Sequence, residues 1–124
     1  LRWANEGSIL PLTSHNKILD AMISVSIYYP NVSGSRFDLE YYKAKHLPMI
    51  DHLLKPMGLQ QVVVEQGIGT PMPSEPAPYT VITRLLFNNI EEMEMGMGHC
   101  GTTLMDDVTN FFTHRPLVQI SRLL

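Results

Sequence analysis

The chain has 124 residues, nine basic and twelve acidic side chains, a net charge of −3, and 44% hydrophobic against 17% charged residues. That size and balance suit one globular domain around one core, and the scattered basic residues give no footprint for nucleic acid. No apolar run approaches the roughly 18 residues needed to cross a bilayer, and the single cysteine, Cys100, excludes an intramolecular disulfide framework. A cytoplasmic location is expected, because the first twenty residues also lack the basic and apolar segments of a secretory leader.

Residues 1–20 mix Trp3, Ile9, Leu10 and Leu12 with polar residues, Gly7 and Pro11, without periodicity. They are read as an arm, flexible or non-native, outside a folded domain over residues 21–124. From Met22 onward, Ile23, Val25, Ile27 and Tyr29 alternate with Ser24, Ser26 and Tyr28, the period of a strand. A loop from Pro30 to Ser35 follows, and Asp38 is placed to cap a helix. In that helix Leu39, Tyr42, Met49 or Ile50, Leu53 and Met57 recur at three-and-four spacing, and His46 falls on the same stripe. Pro48 lacks an N–H and clashes with the Ala44 carbonyl, which predicts a kink or boundary beside His46. The helix is expected to run to about Leu54, with Gly58 as its stop signal.

Leu59 to Gly67, with Val62, Val63 and Val64, reads as a second strand. Residues 67–78 carry four prolines and two glycines and form a long loop of the kind that lines sites. Tyr79 to Phe87 is a third strand, with Tyr79, Val81, Thr83, Leu85 and Phe87 on one face. Ile90, Met93, Met97, Leu104 and Val108 mark a second helix. Gly96, Gly98 and Gly101 weaken it, through close packing against a neighbour or a break into two pieces. Pro116 to Leu123 closes the chain as a fourth strand, with Val118, Ile120 and Arg122 on one face.

The order βαββαβ gives an α+β, ferredoxin-like fold, a four-stranded antiparallel sheet with both helices on one face. One face remains uncovered, and alternation puts apolar residues on both faces, for example Met22 against Ile23, and Ile82 and Leu86 against Val81 and Leu85. Covering that surface predicts a homodimer through the sheet face.

The chemistry centres on His46. An inward histidine on an apolar stripe is either a core residue satisfied by a backbone carbonyl or a neutral imidazole facing a cavity. In the second case burial lowers its pKa and leaves a base usable at neutral pH. Tyr42, one turn earlier, can donate to a ligand oxygen or simply pack on the sheet, and Tyr41, about 100° away, sits at the helix margin. His15, His52, His99 and His114 are isolated, and no HExxH, CxxC or carboxylate–histidine spacing is present, so no metal site is expected. His99 could still meet His46 across a cavity mouth. Cys100 has no evident base, and the methionines of the second helix are core filler or the lining of an adaptable pocket. Gly67-Ile68-Gly69 opens into prolines rather than a helix, which is not a phosphate-binding pattern.

Several segments together resemble the EthD-like family. They are Ile23 to Tyr29 followed by Pro30-Asn31, then Arg36-Phe37-Asp38, Tyr41-Tyr42 and His46-Leu47-Pro48. Further along come Val64-Glu65-Gln66-Gly67, Ala77-Pro78-Tyr79, His99 and Asp107-Val108-Thr109-Asn110-Phe111 before Pro116. The resemblance spans about residues 22–123 and implies a dimeric α+β barrel, in which two ferredoxin-like units pair their sheets. EthD is associated with degradation of ethyl tert-butyl ether beside a cytochrome P450 system, and barrel relatives include cofactor-free monooxygenases, isomerases and cyclases or dehydratases.

The expectation is therefore a protein that binds a small hydrophobic molecule between helices and sheet and catalyses cofactor-free proton transfer: isomerisation, dehydration or cyclisation. His46 and Tyr42 are the candidate catalytic pair, and Tyr41, Tyr79, His99 and Asn110 the candidate substrate contacts. The alternatives are a cofactor-free monooxygenase and a non-catalytic auxiliary or carrier protein of an ether-degradation system.

Overall fold

Strands β1 (Ile23–Pro30), β2 (Leu59–Gln66), β3 (Tyr79–Phe87) and β4 (Leu117–Arg122) form one antiparallel sheet in the order β2-β3-β1-β4. The computed structural model describes residues 22–124, and the arm expected over residues 1–20 lies outside them. The period-2 alternation of β1 sets its register. Ile23, Val25 and Tyr29 pair with Phe87, Leu85 and Val81 of β3, and all six are buried. Two helical segments, α1 (residues 39–54) and α2 (Ile90–Asp107), pack their apolar sides on this face; Ile50, Leu54, Met93 and Leu104 meet Ile23, Val25, Leu85 and Phe87. The α+β, ferredoxin-like arrangement follows, because each helix joins two strands that are consecutive in the chain but not adjacent in the sheet.

Helix α1 is where the sequence reading and the structure differ most usefully. Asp38 caps it as expected, its carboxylate accepting the Tyr41 N–H at 3.0 Å. After an α turn at Leu39–Tyr41, the backbone widens into a π turn over Tyr42–His46, where the Leu47 N–H reaches back five residues to the Tyr42 carbonyl. Pro48 then enters the first turn of the α-helical stretch Leu47–Leu54. The interruption predicted at the proline thus takes the form of a π turn just before it, and the helix does not stop. The extra residue also shifts the buried stripe. Tyr42, His46, Ile50 and Leu54 are buried at steps of four, while Leu53 and Met57 are only partly buried. A 3₁₀ turn, Lys55–Met57, leads to Gly58, whose φ of 107° is the left-handed conformation of a helix stop.

Helix α2 is continuous through its glycines. Each interior glycine costs a helix about 1 kcal/mol relative to alanine, so each one raises the question of why it is there. Gly96 has a packing reason: a Cβ there would lie 3.3 Å from both Leu54 Cδ2 and Met57 Cβ, where α2 crosses α1.

Beyond β1 the sheet extends to β4, an edge strand whose helix-side residues Val118 and Ile120 remain 49% and 55% exposed. The face without helices is more mixed than alternation alone suggested. Ile82 and Leu86 share it with Ser24, Ser26 and Gln119, and Arg84 donates to Glu65 at 2.7 Å. Among the described residues, no helix is long and apolar enough to cross a membrane.

Candidate functional site

Two chain segments are laced together where α1 begins and α2 ends. The Asp38 N–H donates to the Phe111 carbonyl at 2.7 Å, the Thr113 N–H to the Arg36 carbonyl at 3.2 Å, and Phe37 pairs with Phe112 as an isolated β-bridge. Around this seam Tyr29, Phe37, Tyr42, Phe111 and Phe112 pack edge to face at centroid separations of 4.9 to 6.0 Å. The cluster fixes the first turns of α1 against the last turn of α2. It therefore brings His46 to Asp107, 61 positions away in sequence.

His46 is 3% exposed, and its ring lies 5.3 Å from Tyr42 at an interplanar angle of 22°, and 4.5 Å from Phe111. Nδ1 is 2.8 Å from Asp107 Oδ2. The other carboxylate oxygen, Oδ1, accepts the Tyr41 hydroxyl at 2.7 Å and the Asn110 amide at 2.9 Å, and that amide also lies 3.3 Å from the Tyr41 oxygen. An ionised carboxylate can only accept hydrogen bonds, so the Nδ1 of neutral His46 carries the hydrogen and donates to Asp107. Nε2 keeps its lone pair and has no hydrogen-bond partner among the described residues, and the ring lines a cavity.

That cavity encloses about 440 Å³. Val25, Ile27, Tyr29 and Leu85 of the sheet face His46 and Ile50 of α1 across it. The α2 side is formed by Met97, Gly101, Thr102, Leu104 and Met105, with Val108 just beyond. Thr102, Met105 and Val118 are lining residues that also reach solvent, and they mark its mouth between α2 and β4. The walls are aliphatic or thioether almost throughout, with His46 as the titratable group most able to exchange a proton with an occupant.

Burial holds the imidazole below its ordinary 6.5, against the opposing hydrogen bond and charge of Asp107. For Asp107, burial alone would push the carboxyl up; the hydrogen bonds from Tyr41, His46 and Asn110 outweigh it and bring the group below its ordinary 3.8. Tyr29 is raised by burial and then by Tyr42, and Tyr41 by its bond to Asp107, so both phenols stay protonated at neutral pH. The resting site is neutral His46 beside ionised Asp107, an arrangement that can take a proton at Nε2 and stabilise the resulting imidazolium at Nδ1.

The residues singled out from sequence separate clearly. His46, Tyr41 and Asn110 come together, joined through Asp107. Tyr42 is fully buried, stacks on His46, and directs its hydroxyl to Thr83 Oγ1 within the core instead of into the cavity. Tyr79 is not brought to the cavity. The register shift at Tyr29/Pro30 lets its ring pack on Tyr28, 5.1 Å away on the opposite side of the sheet. His99 is exposed on α2 and does not line the cavity, so it does not meet His46 across the mouth. Among the described residues, no three His, Cys, Asp or Glu side chains converge to hold a metal ion.

Asp107 and Tyr29 are the functional groups that sequence reading left without a role. Asp107 had a signal. It lies on the buried stripe Met93, Gly96, Cys100, Leu104, Asp107, and a carboxylate at a helix C-terminus opposes the macrodipole. A residue that breaks both rules needs local donors, and three are present.

Because both groups have folded pKa values below their unfolded ones, each contributes stability above its unfolded pKa, and that contribution is lost as pH falls through the folded value. Urea unfolding followed downward from pH 8 should therefore show wild type losing stability below about pH 6.5 more steeply than His46→Gln, which cannot take up that proton. Parallel curves for the two proteins would contradict the buried neutral imidazole.

A profile of the EthD domain matches residues 12–115. Among solved structures, the chain is similar to an EthD-like protein from Ralstonia eutropha, with 27% identity and a TM-score of 0.77 over 85% of this chain and 94% of that one. An EthD family protein from Bacillus halodurans is 16% identical, with a TM-score of 0.61 over 83% and 99% of the two chains. A dimeric protein with a ferredoxin-like fold from Bacteroides fragilis is 7% identical, with a TM-score of 0.50 over 82% and 95%. No curated protein sequence matches this chain. With the profile covering most of its length, and a ferredoxin-like sheet beneath, the chain belongs to the EthD family.

Proposed function

We propose that the chain binds a small, mostly apolar organic molecule in the α1–α2–sheet cavity and that His46 moves a proton on it, using the chain's own side chains. The observation that carries this reading is a neutral imidazole lining an apolar cavity of about 440 Å³, with Nδ1 held by Asp107 and Nε2 without a hydrogen-bond partner among the described residues. A base in that setting removes a proton from an acidic C–H or O–H of the occupant. The imidazolium that forms is stabilised by the Asp107 carboxylate, and the same proton is returned at another atom of the product or to a leaving group. Isomerisation and dehydration share that step. The apolar walls keep water from competing for the proton, and the Tyr42 ring supports the imidazole from the far side.

A suitable probe is 3-cyclohexenone, whose double bond migrates into conjugation by loss and return of one proton and is followed by ultraviolet absorbance. Wild type should accelerate the shift, with kcat/KM falling toward acid through a midpoint below 6.5, and His46→Ala should lower it by about two to four orders of magnitude. Equal rates for the two proteins would remove His46 from the chemistry.

The sheet face without helices is proposed as the surface through which two copies pair. Ile82 and Leu86 supply apolar area there, the Arg84–Glu65 pair lies beside them, and the ferredoxin-like protein from Bacteroides fragilis is itself dimeric. Light scattering after gel filtration should give twice the chain mass in dilute buffer, and a persistent single-chain mass would contradict the pairing.

A further inference from the structure

The three interior glycines of α2 have different surroundings; two of them, Gly98 and Gly101, have no packing reason to be glycine, and of those two it is Gly101 that lines the cavity. Gly96 is required where α2 crosses α1, as described above. Gly98 is exposed, has nothing within 4 Å of a built Cβ, and lies away from the cavity. Gly101 lines the cavity, yet a Cβ there would meet only the side chain of Met97, with Cε at 3.7 Å and Cβ at 4.0 Å. Those are ordinary van der Waals separations. Its φ is not in the left-handed region, and it sits within a regular helix that alanine would favour. Neither backbone conformation nor packing against the fold accounts for the missing side chain. What its absence leaves is room in the cavity and a stretch of helix backbone that an occupant can approach closely.

We infer that Gly101 sets the size of ligand the cavity admits, and that the space it leaves is occupied by the second ring of a flat, two-ring hydrophobic molecule whose one polar group reaches His46. This inference rests on the reading of the cavity as a binding site. The volume of about 440 Å³ lies within the range of small-molecule sites and exceeds what a single six-membered ring fills. The polar pole of the cavity is His46 on α1, while Gly101 belongs to the α2 wall. Met97 and Met105 line that same wall on either side of Gly101 in sequence, and flexible thioethers close around flat rings of varied outline. A methyl group at position 101 adds volume to the α2 wall, where the second ring is placed, and not to the α1 wall that carries His46.

Phenol and 1-naphthol test this, since both present one hydroxyl to Nε2 and differ by one ring. Binding is read from the methyl resonances of Met97 and Met105 in wild type, Gly101→Ala and Gly98→Ala, with urea unfolding alongside. Gly101→Ala should weaken 1-naphthol about tenfold while phenol changes by less than about twofold, because overpacking is confined to the second-ring space. Gly98→Ala should bind both probes as wild type does, and both variants should be at least as stable as wild type. Unaltered 1-naphthol binding in Gly101→Ala, the same weakening in Gly98→Ala, or a loss of stability in Gly101→Ala would each overturn the assignment. Phenol separates the two levels: if wild type binds phenol in a His46-dependent manner, a failure at position 101 overturns the size assignment alone. If neither probe perturbs the methionines of wild type, the binding-site reading falls with it.

Discussion

One hydrogen bond, from the Nδ1–H of His46 to the Asp107 carboxylate, ties the site to the fold. It is possible only because the start of α1 and the end of α2 are stitched together by the Asp38–Phe111 and Thr113–Arg36 backbone hydrogen bonds and by the aromatic cluster between them. Burying an imidazole and a carboxylate together is costly unless their polar atoms are satisfied. Here Asp107 has donors on both oxygens, and among the described residues the ring nitrogen left without a hydrogen-bond partner is Nε2, on a ring that lines the cavity. The asymmetry between the two ring nitrogens separates this histidine from an ordinary core residue.

The strands and the helix caps at Asp38 and Gly58 were legible in sequence, because period-2 alternation and capping chemistry are local; which apolar face the helices cover was not, since alternation left apolar residues on both. The placement of His46 was legible too, from its position on the apolar stripe of α1. Its partner was not. Asp107 lies 61 positions further along the chain, and only its misfit at the buried end of α2 could have drawn attention to it. Tyr42 shows the reverse limit: spacing put its phenol beside His46, but spacing does not say where a hydroxyl points, and Thr83 on β3 claims it. Tyr79 failed for a third reason, a register shift at Tyr29/Pro30 that no alternation pattern reveals. The π turn of α1 belongs with these, since one added residue moved the buried stripe from Leu53 to Leu54.

Several local preferences are given up around the cavity: a helix widened at Tyr42–His46, a carboxylate at a helix C-terminus, and a glycine at position 101 where alanine would fit. Each is mildly unfavourable for folding, and together they surround one apolar space with one usable base. Concentrated departures of this kind are where selection for function outweighs selection for stability.

The ¹⁵N spectrum of the His46 ring at neutral pH, recorded with selectively labelled histidine and assigned by comparison with His46→Gln, tests the central claim most directly. The structure predicts a neutral imidazole protonated at Nδ1, with an unprotonated Nε2 whose resonance moves when an occupant with an acidic proton enters the cavity. A ring protonated at Nε2, or an imidazolium at that pH, would contradict it.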